Sequence, residues 1–156
     1  MKQGSTLVLR SAITAIGLVV LAICVFALPR AISAELTSDF DYLPIMIGLY
    51  APAVPFFIAL YQSLKLLNNI DNNNAFSESS VAAFKNIKYC AVIISTLFLA
   101  GMPYIFHVAD QDDAPGLVAI GFVIVFASFV IATFAAVLQK LVQHAVDIKN
   151  ENDLTV

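Results

Sequence analysis

The sequence predicts an all-α integral membrane protein. One domain, residues 1–156, forms a four-transmembrane-helix bundle with both termini in the cytoplasm (N-in/C-in) and short cytoplasmic helical extensions. Three observations predict it. Hydrophobic residues make up 60% of the chain and charged residues 12%, against about half and about a quarter in soluble domains. Such a chain cannot cover a water-facing surface. Four apolar stretches are each long enough to cross a hydrocarbon core, which takes about 20 helical residues. Lys and Arg, finally, lie almost wholly on one side of those stretches.

The first stretch covers residues 7–28, and nothing from position 11 onward in it is charged. Lys2 and Arg10 precede it, and Ala31-Ile32-Ser33 has the small residues of a signal-peptidase site. The apolar run is longer than a signal core of about 7–15 residues, and Pro29-Arg30 sits just before the site, so an uncleaved helix is expected. The second stretch covers 43–64 and continues through Leu67 and Ile70. The third covers 89–109 and the fourth 116–138. With their extensions the spans run over about 7–28, 43–67, 81–109 and 116–148. The stretches are apolar all round, without the alternation and strand length of about 10 residues that a barrel needs. Helices are therefore the way to satisfy the backbone in lipid.

Orientation follows from charge. With the N-terminus inside, Lys2, Arg10, Lys65, Lys85, Lys88, Lys140 and Lys149 are cytoplasmic, and only Arg30 is outside. The outer loops are acidic: Glu35, Asp39 and Asp41, then Asp110, Asp112 and Asp113. Tyr42 and Tyr104 mark the outer surface, Tyr61 and Tyr89 the inner one. The polar run 68–74 reads as a turn, after which Ser77 caps a helix with Glu78 in its first turn.

Residues 11–28, 43–64, 89–109 and 116–138 contain no Asp, Glu, Lys or Arg, which argues against a proton-coupled pump built from one protomer. Cys24 and Cys90 sit at opposite depths and cannot approach to the ~7 Å that a disulfide requires. His107 with Asp110, Asp112 and Asp113 reads as a solvated acidic loop before a metal site, since such spacing is unspecific. No metalloprotease, nucleophile-elbow, P-loop or dinucleotide motif is present, so neither an enzyme nor a cofactor is expected. The absence of a basic run likewise gives no expectation of direct nucleic-acid binding.

Two features invite function. In the second span Pro52 and Pro55 remove donors and free the carbonyls of Gly48 and Ala51. Gly48, Pro52 and Pro55 thus mark a hinge or a small-ligand cavity, or else a static kink. At the inner end, helix four continues as Leu138, Leu141, Val142, Ala145 and Ile148 at helical spacing. Lys85, Lys88, Lys140, His144 and Lys149, with Glu151 and Asp153 of the tail, would then form a mixed-charge platform for a cytoplasmic protein partner. The competing reading of the stripe is bundle packing. Ser128, Ala132 and Ala136 permit close helix approach, within the bundle or across a homodimer.

The whole chain resembles the YoaS-like family of small four-span bacterial membrane proteins. The likeness is carried by Tyr50-Ala51-Pro52-Ala53-Val54-Pro55-Phe56-Phe57, Ala75-Phe76-Ser77 and Asn86-Ile87-Lys88-Tyr89-Cys90. Asp112-Asp113-Ala114-Pro115-Gly116 and the terminal Glu151-Asn152-Asp153-Leu154-Thr155-Val156 add to it. The resemblance implies a Gram-positive, Bacillus-type source, residence in the cytoplasmic membrane and no assigned catalytic residues. Genes for small helix-turn-helix regulators often neighbour such proteins, which implies a regulator of that kind as partner. The leading expectation is a non-enzymatic regulatory or signalling protein that binds it. A small-solute or lipid-binding permease and an immunity protein against membrane-active peptides are the alternatives.

Overall fold

The apolar stretches are helical in the computed structural model, which describes residues 3–27, 29, 30, 33 and 42–155. Lys2, Ala31, Ile32, Glu35, Asp39 and Asp41 lie outside the described residues, as does the side chain of Tyr42. Helix α1 covers Gln3–Ala22 and passes into a π-helical turn at Ile23–Ala27. Two helices, α2 (Tyr42–Tyr50) and α3 (Ala53–Asp71), make the second span. The third and fourth spans are α4 (Glu78–Gln111) and α5 (Pro115–Leu154). Among the described residues, four helical segments are long and apolar enough to cross a membrane: Gly4–Phe26, Ile47–Asp71, Glu78–Gln111 and Pro115–Leu154.

The pattern of exposure shows which solvent the fold expects. Large apolar side chains such as Phe126 (71% exposed), Phe129 and Phe134 face outward. Small residues make up much of the interior: Ala83, Cys90, Ala91, Ala109, Ala132 and Ala135 are buried, with Gly121 and Ser128, beside the larger Leu67 and Met102. Lipid is as apolar as a leucine core, so helices gain mainly from close backbone approach, and small side chains allow it. At Gly121 a Cβ would lie 2.9 Å from the Met102 sulfur, which shows how closely α4 and α5 run together. Ser128 and Ala132 are buried and Ala136 half-buried, so much of the small-residue stripe is used within the protein's own bundle.

Packing follows chain order. α4 and α5 form the tightest pair, α3 lies on α4, and α1 lies on α3. α1 and α5, the two ends of this row, touch at most marginally. The α4–α5 turn places Asp113 at φ 50° and starts the last helix with Pro115 in its first turn, where a missing N–H is harmless. The α3–α4 turn uses Asn73 at φ 56°. Asparagine and aspartate tolerate this left-handed geometry better than most side chains.

Both hairpin helices outrun the membrane. α5 has 40 residues, or about 60 Å of helix, against a hydrocarbon thickness of about 30 Å. Its excess, with the start of α4, forms a helical stub at the lysine-bearing end. Val81, Val142 and Val146 make a buried cluster there, with Phe84 packed against it. α4 begins at Glu78, where the sequence places a helix start: Ser77 caps it by accepting from the Ser80 amide at 3.3 Å. α5 runs past 148 to Leu154, so Glu151 and Asp153 of the tail are helical.

Candidate functional site

Two places gather the features that chemistry or recognition would use. The first is the proline break in the second span. Proline at 52 cannot donate to Gly48, nor proline at 55 to Ala51, and the helix is interrupted at Ala51 and Pro52. Regular bonding resumes on either side: the Ala51 amide donates to the Ile47 carbonyl at 2.9 Å, and the Phe56 amide to the Pro52 carbonyl at 3.2 Å. Opposite this break lies the π-helical turn of the first span. The Tyr50 hydroxyl donates to the Cys24 carbonyl at 3.0 Å and joins the two irregular segments.

Beside them is a cavity of about 500 Å³ walled by all four spans. Cys24, Pro52, Phe56, Phe98, Ile124 and Ser128 are among its lining residues. The wall is almost entirely hydrocarbon. Its two hydroxyls are Ser63, which donates to its own helix at the Ala59 carbonyl (2.9 Å), and Ser128. The permease reading requires a wet, polar-lined space next to Pro52; the space is there, but its chemistry is apolar. Of the three residues marked in the sequence, Pro52 lines it, Pro55 is buried in α3, and Gly48 has open space where a Cβ would point.

The second place is the stub. A polar knot holds its base. The Asn69 amide donates to the hydroxyls of Ser79 and Ser80, each at 3.2 Å, and Ser80 is fully buried. Arg10 donates to Asp71 at 3.2 Å and to Asn68 at 3.4 Å, which ties the start of α1 to the end of α3. Lys88 donates to Gln139 at 3.0 Å and sits 5.1 Å from the Tyr89 ring centroid. Its charge is thus engaged within the hairpin. Lys85, Lys140, His144, Lys149, Glu151 and Asp153 are exposed.

The apolar stripe of α5 divides in two. Val142 turns inward with Val146, whereas Leu138, Leu141 (62% exposed) and Ile148 (50%) face outward, with half-buried Ala145 between them. At about 100° per residue, Lys140 and His144 flank the outward stripe on one side and Lys149 on the other.

Three further features bear on these sites. Pro103 lies inside α4, which continues through it. Gln62 has a buried side-chain oxygen without a hydrogen-bond partner. The π-helical turn has no marker in the sequence. At the acidic end, Pro103, His107, Asp110 and Asp113 line an open cleft of about 730 Å³. His107 contacts Gln111 of its own helix at 3.2 Å. Among the described residues, no three His, Cys, Asp or Glu side chains converge as a metal site would require.

Four apolar helices, lipid-facing large side chains and a small-residue interior define a multi-pass helical membrane protein. A family model described as "Protein of unknown function (DUF2975)" matches residues 6–156, and the chain belongs to that family. It is 54% identical over 160 residues to "Uncharacterized membrane protein YoaS" of Bacillus subtilis (strain 168), covering 100% of both chains. No solved structure matches it.

Proposed function

We propose that this is a non-enzymatic regulatory protein of the bacterial cytoplasmic membrane, with the stub in the cytoplasm as the docking site for a soluble partner. One observation carries the reading: α5 continues far past the bilayer as a helix fixed by Val81, Val142 and Val146, yet leaves Leu141 and Ile148 uncovered. A stub that served only to pack would turn one apolar face inward and a polar face outward. This one has a second apolar face, flanked by Lys140, His144 and Lys149. An amphipathic helix with apolar residues at spacings of three and four matches such a stripe. Acidic flanks on that helix would complement the lysines and set its orientation. A small helix-turn-helix regulator is the proposed class of partner.

The test compares recovery of cytoplasmic proteins on affinity purification from native membranes at equal abundance of three forms. These are the full chain, Leu141→Asp with Ile148→Asp, and a chain ending at Lys149. A specific partner should copurify with the full chain and be lost with the double variant. Weaker recovery with the truncated chain would assign a share to Glu151 and Asp153. Equal recovery from all three would defeat the reading.

A further inference from the structure

The cavity beside Pro52 is independent of docking at the stub, and its chemistry points to an occupant. We propose that it holds one acyl chain of a bilayer phospholipid, which enters sideways between α1 and α5. Four observations converge on this. The first is depth: Pro52, Phe98, Ile124 and Ser128 lie well inside the apolar stretches, and Cys24 lies within the outer part of the first. The medium outside the cavity at that level is hydrocarbon.

The second is access. Neighbouring spans pack in a row, and the row's two ends, α1 and α5, barely meet. Among the described residues the bundle is therefore least closed at that edge, whereas its other three seams are held by helix contacts.

The third is wall chemistry. Among the described residues, none that lines the space is charged, and the Ser63 hydroxyl is already spent on Ala59. Water needs two to four polar partners to remain in a buried site, and an apolar cavity stays dry. An ion or a polar solute would meet the same deficit. A volume of about 500 Å³ lies within the range of built ligand sites, roughly 300–1,000 Å³. Left empty, it would deprive every wall residue of dispersion contacts.

The fourth is the backbone. Irregular backbone at membrane depth persists where it is shielded by protein or lines a cavity. Here the helix interruption and the π-helical turn occur on two facing walls of the same space, joined by the Tyr50–Cys24 hydrogen bond. A kink that merely shaped the bundle would be packed over by its neighbours. Here Cys24 of the π-helical turn and Pro52 of the interruption both line the open space instead.

The experiment uses the full chain in vesicles of phosphatidylglycerol and phosphatidylethanolamine. A trace of phosphatidylglycerol carries a diazirine midway along one acyl chain, and labelled residues are mapped by peptide mass spectrometry. Labelling at the cavity residues Phe56 and Phe98 should exceed that at the outward-facing Phe126 and Phe134. Ala59→Phe, which fills the cavity from its wall, should lower labelling at Phe98 by about tenfold and leave Phe126 unchanged. Ala59→Leu repeats the test with a smaller insertion, and labelling at Phe98 should again fall. Labelling at Phe56 and Phe98 no stronger than at Phe126 would overturn the proposal. So would equal labelling of the wild type and both variants, or cross-links at the cavity wall to a second copy in place of lipid.

Discussion

Val146 offers the sharpest test of the stub. It is 3% exposed and sits with Val81 and Val142 in the only apolar cluster that holds the stub's two helices together among the described residues. Val146→Ala removes two methyl groups, each worth about 0.8 kcal/mol of transfer free energy. The space left behind adds a further penalty, because surrounding side chains relax only in part. The sum is about 2 kcal/mol. At 1.4 kcal/mol per factor of ten, local opening should become about 30-fold more frequent. Amide hydrogen exchange in nanodiscs reads such openings element by element. Residues 80–88 and 140–150 should exchange faster, and the membrane-embedded parts of α4 and α5 should not change. Leu141→Ala is the matched control: Leu141 is 62% exposed, and surface substitutions usually stay within about 0.5 kcal/mol. Its exchange should shift by about twofold at most. Unchanged exchange in Val146→Ala, or an equal rise in Leu141→Ala, would refute the assignment of inward and outward faces.

Further outcomes follow from the same geometry. In a Cys24→Ser, Cys90→Ser background, Gln111→Cys should react with an impermeant thiol reagent in intact cells and Asn152→Cys should not; the reverse result would invert the topology. Ser77→Ala should loosen the first turn of α4 by about 1 kcal/mol, visible as faster exchange at Ser80 and Val81. Arg10→Ala should change thermal stability by less than about 1 kcal/mol, because exposed ion pairs contribute little, and a larger loss would show that the Arg10–Asp71 contact is shielded. Pro52→Ala returns a donor for the Gly48 carbonyl and should raise amide protection across positions 51–56; unchanged protection would mean that the break has another cause.

Legibility in the sequence tracked how much of the physics is local. The spans were readable because a helix that crosses lipid must be apolar along nearly its whole length, so 116–138 needs no knowledge of its neighbours. Ser77 was readable as a cap because an N-cap is set by the residue and the few that follow it. Pro52 and Pro55 were readable as a disturbance, since each removes a defined hydrogen bond. What that disturbance borders depended on α1, α4 and α5, and the apolar character of the cavity was hidden with them. The stripe 138–148 shows the same limit. Spacing places Leu141 and Val142 close together on one helix, but only the position of α4 decides that Val142 turns inward. The π-helical turn at Ile23–Ala27 has no sequence marker, because Ile, Cys, Val, Phe and Ala suit an ordinary helix equally well. Pro103 shows the opposite case: α4 is continuous through it, while the second span breaks at Pro52.

Docking at the stub is tested most directly by photo-crosslinking in living cells from a photoreactive amino acid placed singly at positions 141, 148 and 143. Leu141 and Ile148 face outward, and Gln143 is half-buried and bonded to Asp147 at 3.1 Å. The expected result is the same cytoplasmic protein joined at 141 and 148, absent at 143, with the 148 adduct abolished by Leu141→Asp. Adducts only to lipid, or none at either outward position, would contradict a docking role for the stub.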